Sequence, residues 1–432
     1  MDEGPQLHQR FNTHSRPAYT YTPESIDQRI TPSLAAKSLG KQQPVIFGSF
    51  VLSAFTRWFG LNKYRVHVPW TVYVAQKMGQ SPAFDAAVFC INSMYMGHTH
   101  DDTRLQRSSR EVYSKALRLF GDRIRDADAM KSRESVSITI VLSLFEAYSR
   151  TDSDSWARHA AGTALLMSHR GPDAHLTGFD RCLYLSFRSF IVAEAFINGK
   201  RCIFERPEWQ ALIAQVRLED MTSSRVDGPI ALFIDLQDRI FSEVSMIPGF
   251  LLRARQLHTS NDPRQACRDL AADVAHNRHK LGTLAAQLRL AATVQGYGLA
   301  PDEGEAPFIG PIPSTFPQEF ANSVLRGSDQ CMLILRLLSE HLHSEEQRGA
   351  VSPGSDDDVQ ESDPLPFRIV SRLCRAEGKQ DGSKNVPSAN KWLDMVAASM
   401  GLEAFEIVTS AEASSDLPCA YKAHRSTVLE LR

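Results

Sequence analysis

Residues 152–171 read DSDSWARHAAGTALLMSHRG, and the period of this stretch decides how the whole chain is read. Four helix N-cap residues (Asp152, Ser153, Asp154, Ser155) open it, and Arg170-Gly171-Pro172 closes it with a stop signal. At about 100° per residue, Trp156, His159, Ala160, Thr163, Met167 and Arg170 fall on one stripe of a helix. Gly162 lies beside that stripe, where a missing side chain lets a neighbouring helix approach. An interior glycine costs about 1 kcal/mol against alanine, so a packing reason is expected for it. The stretch therefore predicts a core helix whose Trp, His and Arg make structural hydrogen bonds.

The same three- and four-residue recurrence runs outward in both directions. Upstream, VIFGSFVLSAFTRWF is strongly apolar and ends at Gly60, and Ser81-Pro82 opens a helix carrying Phe84, Ala87, Val88, Ile91, Met94 and Tyr95. Ser108-Ser109-Arg110-Glu111 reads as a capping box ahead of Val112, Tyr113, Ala116, Leu117 and Phe120, and 132–148 is another apolar helix. Downstream, LTGFDRCLYLSFRSFIVAEAFING is apolar almost all round; Arg188 and Glu194 interrupt it, either as satisfied buried groups, the favoured reading because buried charges persist when paired, or as points where the helix turns to solvent. A helical pair over 229–257 breaks at Ile247-Pro248-Gly249. Asp262-Pro263 starts a helix reaching Gln295, residues 320–342 form another, and shorter helices are expected around Ile369-Val370-Leu373 and Trp392-Leu393-Met395-Val396. No run keeps a clean period of two over six residues. The expected fold is all-α, a multi-helix array of about ten to fourteen helices.

Composition shifts divide the chain. Residues 1–43, with Pro5, Pro17, Pro23 and Pro32 among polar neighbours, are expected to form a disordered N-terminal arm. Residues 44–410 form the helical domain, interrupted by a Pro/Gly-rich loop at 301–317 and an acidic flexible insertion at 345–366; residues 411–432 read as a weakly ordered tail.

The 432 residues carry 43% hydrophobic and 23% charged side chains and a formal net charge of −2, with a pI near 6.7. A chain that bound nucleic acid through its overall charge would have a pI above about 9. Seven cysteines (Cys90, Cys182, Cys202, Cys267, Cys331, Cys374, Cys419) lie too far apart for any C-x-x-C zinc spacing, which suits free thiols in a reducing compartment. The longest apolar run, 45–55, is about half the length of a membrane span, and no signal-type h-region precedes it, so an intracellular soluble protein is expected.

The spacing Trp156-x-x-His159-x-x-Gly162, followed by Leu165-Leu166 and Arg170-Gly171, resembles the middle of the helical regulatory domain of fungal transcription factors, the kind usually carried behind a six-cysteine zinc cluster. Further landmarks resemble the same family in the same order. They are Ser81-Pro82-Ala83-Phe84-Asp85-Ala86-Ala87, Tyr113-Ser114-Lys115-Ala116-Leu117, Arg188 with Ile191-Val192, Pro207-Glu208-Trp209, and Ile247-Pro248-Gly249-Phe250-Leu251. The similarity runs from residue 44 to 405, and its signature residues are Trp156, His159, Gly162, Arg170, Gly171 and Arg188. The resemblance implies an all-helical regulatory domain, nuclear location and transcriptional control, often of secondary-metabolite gene clusters. It also implies a homodimer or a DNA-binding partner protein as company, with any small-molecule effector unidentified. The family's zinc cluster has no counterpart within this chain, so direct zinc-dependent DNA recognition by these residues is not expected.

One stretch resembles an enzyme signature. His98-Thr99-His100-Asp101-Asp102-Thr103 fits five positions of the H-x-H-x-D-H pattern of metallo-β-lactamase-like hydrolases, with Thr103 in place of the last histidine. That pattern follows a buried strand, whereas the residues before His98 are helix-patterned, so a polar loop between helices is the reading and no metal or other cofactor is expected. His159 and Arg170 could instead hold an anionic effector. No paired nucleophile and base stands out, and the chain is not expected to be an enzyme. The competing reading is a cytosolic helical interaction or ligand-binding protein with no DNA-related role.

Overall fold

Local capping signals set the helix boundaries, and the apolar faces decide which helices meet. The computed structural model describes residues 31–54, 65–149, 155–222, 228–294, 316–348, 367–371 and 405–409. Thirteen α-helices lie among them: α1 (Thr31–Ala54), α2 (Trp70–Lys77), α3 (Pro82–Thr99), α4 (Thr103–Arg123), α5 (Ala127–Met130), α6 (Arg133–Ser149), α7 (Ser155–Arg170), α8 (Gly178–Ile197), α9 (Pro207–Thr222), α10 (Gly228–Val244), α11 (Ile247–Arg255), α12 (Pro263–Val294) and α13 (Phe316–Arg348). The chain divides into two compact units, 1–43 and 44–432, and the described residues of the first all lie within α1.

Short polar side chains start these helices by accepting otherwise unpaired backbone N–H groups. Ser81 Oγ accepts from Phe84 N at 3.4 Å, with Pro82 at the first helical position of α3. Asp102 accepts from Arg104 N and Leu105 N ahead of α4, and Asp262 accepts from Gln265 N ahead of α12. At the far end of α7, Gly171 adopts φ +80°, a left-handed conformation natural to glycine, and its N–H donates to Met167 O at 3.0 Å.

Helix α3 packs on both α4 and α6, α6 on α7 and α7 on α8, while α12 and α13 pair lengthwise and lie against α10. Aromatic side chains fill the first of these groups and join α2 to it. Tyr73 stacks on Phe179 with ring centroids 3.7 Å apart, Phe187 stacks on Phe190 at 4.8 Å, and Trp156 meets Phe190 edge-on. Helix α8 is buried over nearly its whole length, from Phe179 to Phe196, as its all-round apolar sequence requires. All five described cysteines are free and buried; burial pushes the thiols of Cys202 and Cys331 up to about 12.

The all-α class holds, with corrections in detail. Residues 369–371, expected in a short helix, lie in a strand instead: β1 (Phe367–Ser371) pairs antiparallel with β2 (Phe405–Thr409), Phe367 opposite Thr409 and Ser371 opposite Phe405. Both strands are five residues of aromatic and β-branched character, too short to show a period of two over six positions. Helix α1 begins at Thr31, inside the segment expected to be disordered. The Ser108–Glu111 capping box does not start a helix, because Asp102 has already capped α4 one and a half turns earlier. The tail 411–432, residues 349–366 of the acidic insertion and the helix expected around Trp392 lie outside the described residues.

Candidate functional site

The charged residues of the apolar helices converge instead of pointing outward. Arg181 and Arg188 stand seven residues apart on the same face of α8, Asp220 lies near the end of α9, and Asp238 sits among Phe233, Ile234, Ile240 and Phe241 on α10. Arg65, just before α2, completes the group. Its Nε donates to Asp220 Oδ2 at 2.7 Å, and its two terminal nitrogens donate to both oxygens of Asp238 at 3.2 and 2.5 Å. Arg188 donates to Asp238 Oδ1 at 2.5 Å and to the Tyr184 hydroxyl at 3.3 Å, and its guanidinium lies 4.4 Å from the centroid of the Phe241 ring. Arg181 donates to Asp220 Oδ1 at 2.5 Å, to Glu219 Oε2 at 2.7 Å and to Val216 O. The result is an alternating chain, Glu219–Arg181–Asp220–Arg65–Asp238–Arg188, that ties Arg65 to α8, α9 and α10.

Every charge in this chain except Glu219 is buried. Removing such ions from water costs several kcal/mol each, which only close opposite charges and full hydrogen bonding can offset. Burial alone would raise the Asp238 carboxyl, but Arg188 and Arg65 outweigh it and hold the carboxyl below its usual range. Burial likewise works to lower Arg188, and Asp238 more than reverses it, so the guanidinium is held above its ordinary value. Three guanidiniums and three carboxylates neutralise one another. The chemistry this suits is mechanical: it fixes the register of three helices with directional bonds that alternative packings would leave unpaired.

A second cluster lies at the α6–α7–α8 junction. Asp180 accepts from Arg133 Nε at 2.7 Å and from Arg170 Nη2 at 2.7 Å, and Arg170 also donates to Lys131 O. His175, in the 3-10 turn Pro172–His175, is fully buried; its Nδ1 lies 3.3 Å from Asp180 O and its ring lies against Trp209. Burial lowers the His175 pKa to about 4, so the ring is neutral at pH 7. The third polar contact joins α4 to α7: Tyr113 OH is 2.8 Å from His159 Nε2, and the Tyr113 ring stacks on Phe145 of α6 at 4.5 Å. Burial also lowers His159 and raises the Tyr113 hydroxyl.

The six signature residues are thus placed in two groups. Trp156, His159, Gly162, Arg170 and Gly171 run along α7 and its cap: Trp156 reaches α8, His159 reaches α4, and Arg170 joins α8 to the start of α6 through Asp180. Arg188 faces away from them, toward α10. Gly162 faces Thr139 of α6, and a Cβ there would stand 3.6 Å from Thr139 Cγ2, an ordinary contact distance. The predicted close approach exists, but it does not demand glycine. Glu194 is paired as expected, accepting from Asn198 Nδ2 at 2.6 Å and lying 2.7 Å from Lys200. An anionic effector held by His159 and Arg170 finds no support, since the two are turned to different neighbours.

The His98–Thr103 stretch is a helix-to-helix turn. His98 and His100 are exposed, Asp101 takes φ +52°, and Asp102 is occupied as the N-cap of α4. Among the described residues no three His, Cys, Asp or Glu side chains come together as a metal site. Gly97 sets this turn: its carbonyl accepts from Asp102 N at 2.8 Å and Gln106 Nε2 at 3.1 Å, and a Cβ on it would stand 2.7 Å from the Gln106 side chain and 3.0 Å from the Gln106 backbone.

Arg65, Asp180, Asp220 and Asp238 were not singled out by sequence. Asp238 left a signal, a carboxylate on the apolar face of IALFIDLQDRIF; Arg65 left none, because it lies outside any periodic element.

The Emericella nidulans protein designated Uncharacterized protein AN5342 is 31% identical to this chain over 405 residues, which cover 89% of this chain and 84% of that protein. No family model matches the chain, and no solved structure matches it. No helix among the described residues is long and apolar enough to cross a membrane.

Proposed function

We propose that this chain, which belongs to one family with the Emericella nidulans protein, is a transcriptional regulator of fungal type, acting in the nucleus on a secondary-metabolite gene cluster. The observation that carries the reading is the joint role of the signature residues. Trp156, His159 and Arg170, quoted above for their resemblance to the fungal regulatory domain, bind one helix to its neighbours α8, α4 and α6. The ordered landmarks from Ser81-Pro82 to Pro248-Gly249 add to it. Sequence-specific recognition is assigned to a partner protein or to residues beyond these, since no zinc spacing occurs within the chain.

Deleting the coding sequence in the native host and measuring transcripts of the neighbouring genes tests the proposal. A several-fold change confined to a contiguous cluster, with the tagged protein in the nucleus, is expected. Unchanged transcripts together with a tag excluded from the nucleus would replace this reading with a cytosolic interaction or ligand-binding role.

A further inference from the structure

Charge is segregated on α4. Residues 103–125 hold seven Lys and Arg against two acidic side chains, in a chain whose formal net charge is −2. The buried side of α4 is set by Ser109, Ala116 and Phe120, which turn toward the core. Arg104, Arg107, Arg110, Lys115 and Arg118 therefore lie on the opposite side, and all five are exposed. At about 100° per residue they occupy one arc of about 140°.

None of the five takes part in an ion pair or side-chain hydrogen bond among the described residues. Of the two acidic side chains within the arc, Glu111 has no partner among the described residues, and Asp122 is taken by Arg125 at 3.2 Å. The arrangement works against the isolated helix. Arg104 and Arg107 stand at the N-terminal end, where the helix dipole is already positive, although Asp102 partly offsets it. Arg104 and Arg107, Arg107 and Arg110, and Lys115 and Arg118 are like charges three residues apart, which repel. An external polyanion relieves all of these at once.

The chemistry of the arc selects among polyanions. Within the arc lie Thr103, Glu111, Ser114, Gly121 and Asp122, none of them apolar, and the exposed Leu117 stands at its edge, about 20° beyond Arg110. An acidic protein surface would be expected to meet apolar anchors at the centre of the contact. Single-stranded nucleic acid would be expected to meet aromatic stacking platforms. A duplex backbone asks for charge alone, and arginine forks match phosphate oxygens. We propose that the exposed face of α4 contacts the phosphate backbone of duplex DNA without sequence preference. From residue 104 to 118 the cations span about 21 Å at 1.5 Å per residue, about six base-pair steps of a duplex. The contact stands on the charge of this face and does not depend on the regulatory reading.

The test is fluorescence anisotropy of the full-length chain with a labelled duplex of about 20 base pairs and arbitrary sequence, titrated between about 50 and 200 mM salt. The variant Arg104→Ala/Arg107→Ala/Lys115→Ala/Arg118→Ala is expected to weaken binding by at least about tenfold at the lowest salt and to reduce the slope of log K against log salt by about 3 to 4. A charge-matched variant on α12, Arg264→Ala/Arg268→Ala/Lys280→Ala/Arg289→Ala, is expected to change neither beyond about twofold. All four α4 positions are exposed, so circular dichroism and thermal melting should be unaltered; a glutamine set at the same positions provides the readout if the alanine set does not fold. No duplex binding at the lowest salt, equal losses in the two variants, or binding of polyglutamate that duplex DNA does not displace would each overturn the proposal, the last in favour of an acidic protein partner.

Discussion

Arg188 Nη2 lies 2.5 Å from Asp238 Oδ1, and neither side chain is more than 5% exposed. This single contact joins the most deeply buried helix, α8, to α10 across fifty residues of sequence. Asp238 is shared with Arg65, so the carboxylate is the common anion of two guanidiniums and its loss should be felt at both.

Asp238→Ala leaves Arg65 and Arg188 without their shared anion and is expected to cost about 3–5 kcal/mol of stability. Arg188→Met should cost clearly less, because Asp238 keeps both of its bonds to Arg65 and the methionine fills the space beside Phe241. Urea denaturation of the two variants measures the order. Equal costs would mean that Arg65 and Asp238 are not bonded as described.

Two buried groups predict acid sensitivity in different pH windows. His175 has a folded pKa of about 4 against 6.5 for a free histidine, so the unfolded chain binds the extra proton first. Stability should be full above pH 6.5 and decline as pH falls toward 4, by an amount on the order of 3 kcal/mol. Asp238 has a depressed folded pKa, so its contribution is present above the ordinary carboxylate range and is lost as pH falls below it. Thermal melting from pH 7 to pH 4 should show the first decline, and His175→Asn should flatten it. A wild-type profile that is level between pH 6.5 and 4 would contradict a buried neutral ring.

Gly162 and Gly97 should respond oppositely to the same change. At Gly162 the new Cβ meets Thr139 at an ordinary 3.6 Å, so Gly162→Ala is expected to be neutral or to stabilise by up to about 1 kcal/mol through helix propensity. At Gly97 the new Cβ stands 3.0 Å from the Gln106 backbone, and Gly97→Ala is expected to destabilise by about 1–3 kcal/mol. Melting temperatures of the two variants settle the contrast, and a stabilised Gly97→Ala would show that α3 and α4 are not pinned there.

Tyr113→Phe removes the hydroxyl facing His159 while leaving the ring on Phe145. The expected cost is about 1 kcal/mol, the usual net value of one hydrogen bond. A Tyr113→Leu variant, which also loses the stacked ring, should cost more; denaturation curves that rank them in the reverse order would discount the hydrogen bond.

The helical class, the cap at Asp262 and the stop at Gly171 were legible because each depends on residues within about four positions of itself, whereas the break expected at Ile247-Pro248-Gly249 falls just before them, at 245–246, and those three residues open α11. The pairing of Arg188 and Glu194 was legible in kind, since an isolated charge in an apolar helix requires a partner. The strands β1 and β2 were not legible: each is five residues long and its partner lies 34 or more positions away. The start of α4 lies at Asp102 and not at Ser108, because Asp102 Oδ1 already accepts from Arg104 N and Leu105 N there.

By itself, then, the sequence determined the helical class and most of the long helices with their apolar sides, because period, caps and breakers are local chemistry. Tertiary structure alone decided which charges meet: Arg65 and Asp238 are 173 residues apart, and nothing near either one names the other. It also decided that the five cations of α4 face outward together. Their common face is written in their spacing, but its exposure follows from the burial of Ser109, Ala116 and Phe120 on the opposite side. Pairing energy depends on distance in space, and that distance exists only once the helices have packed.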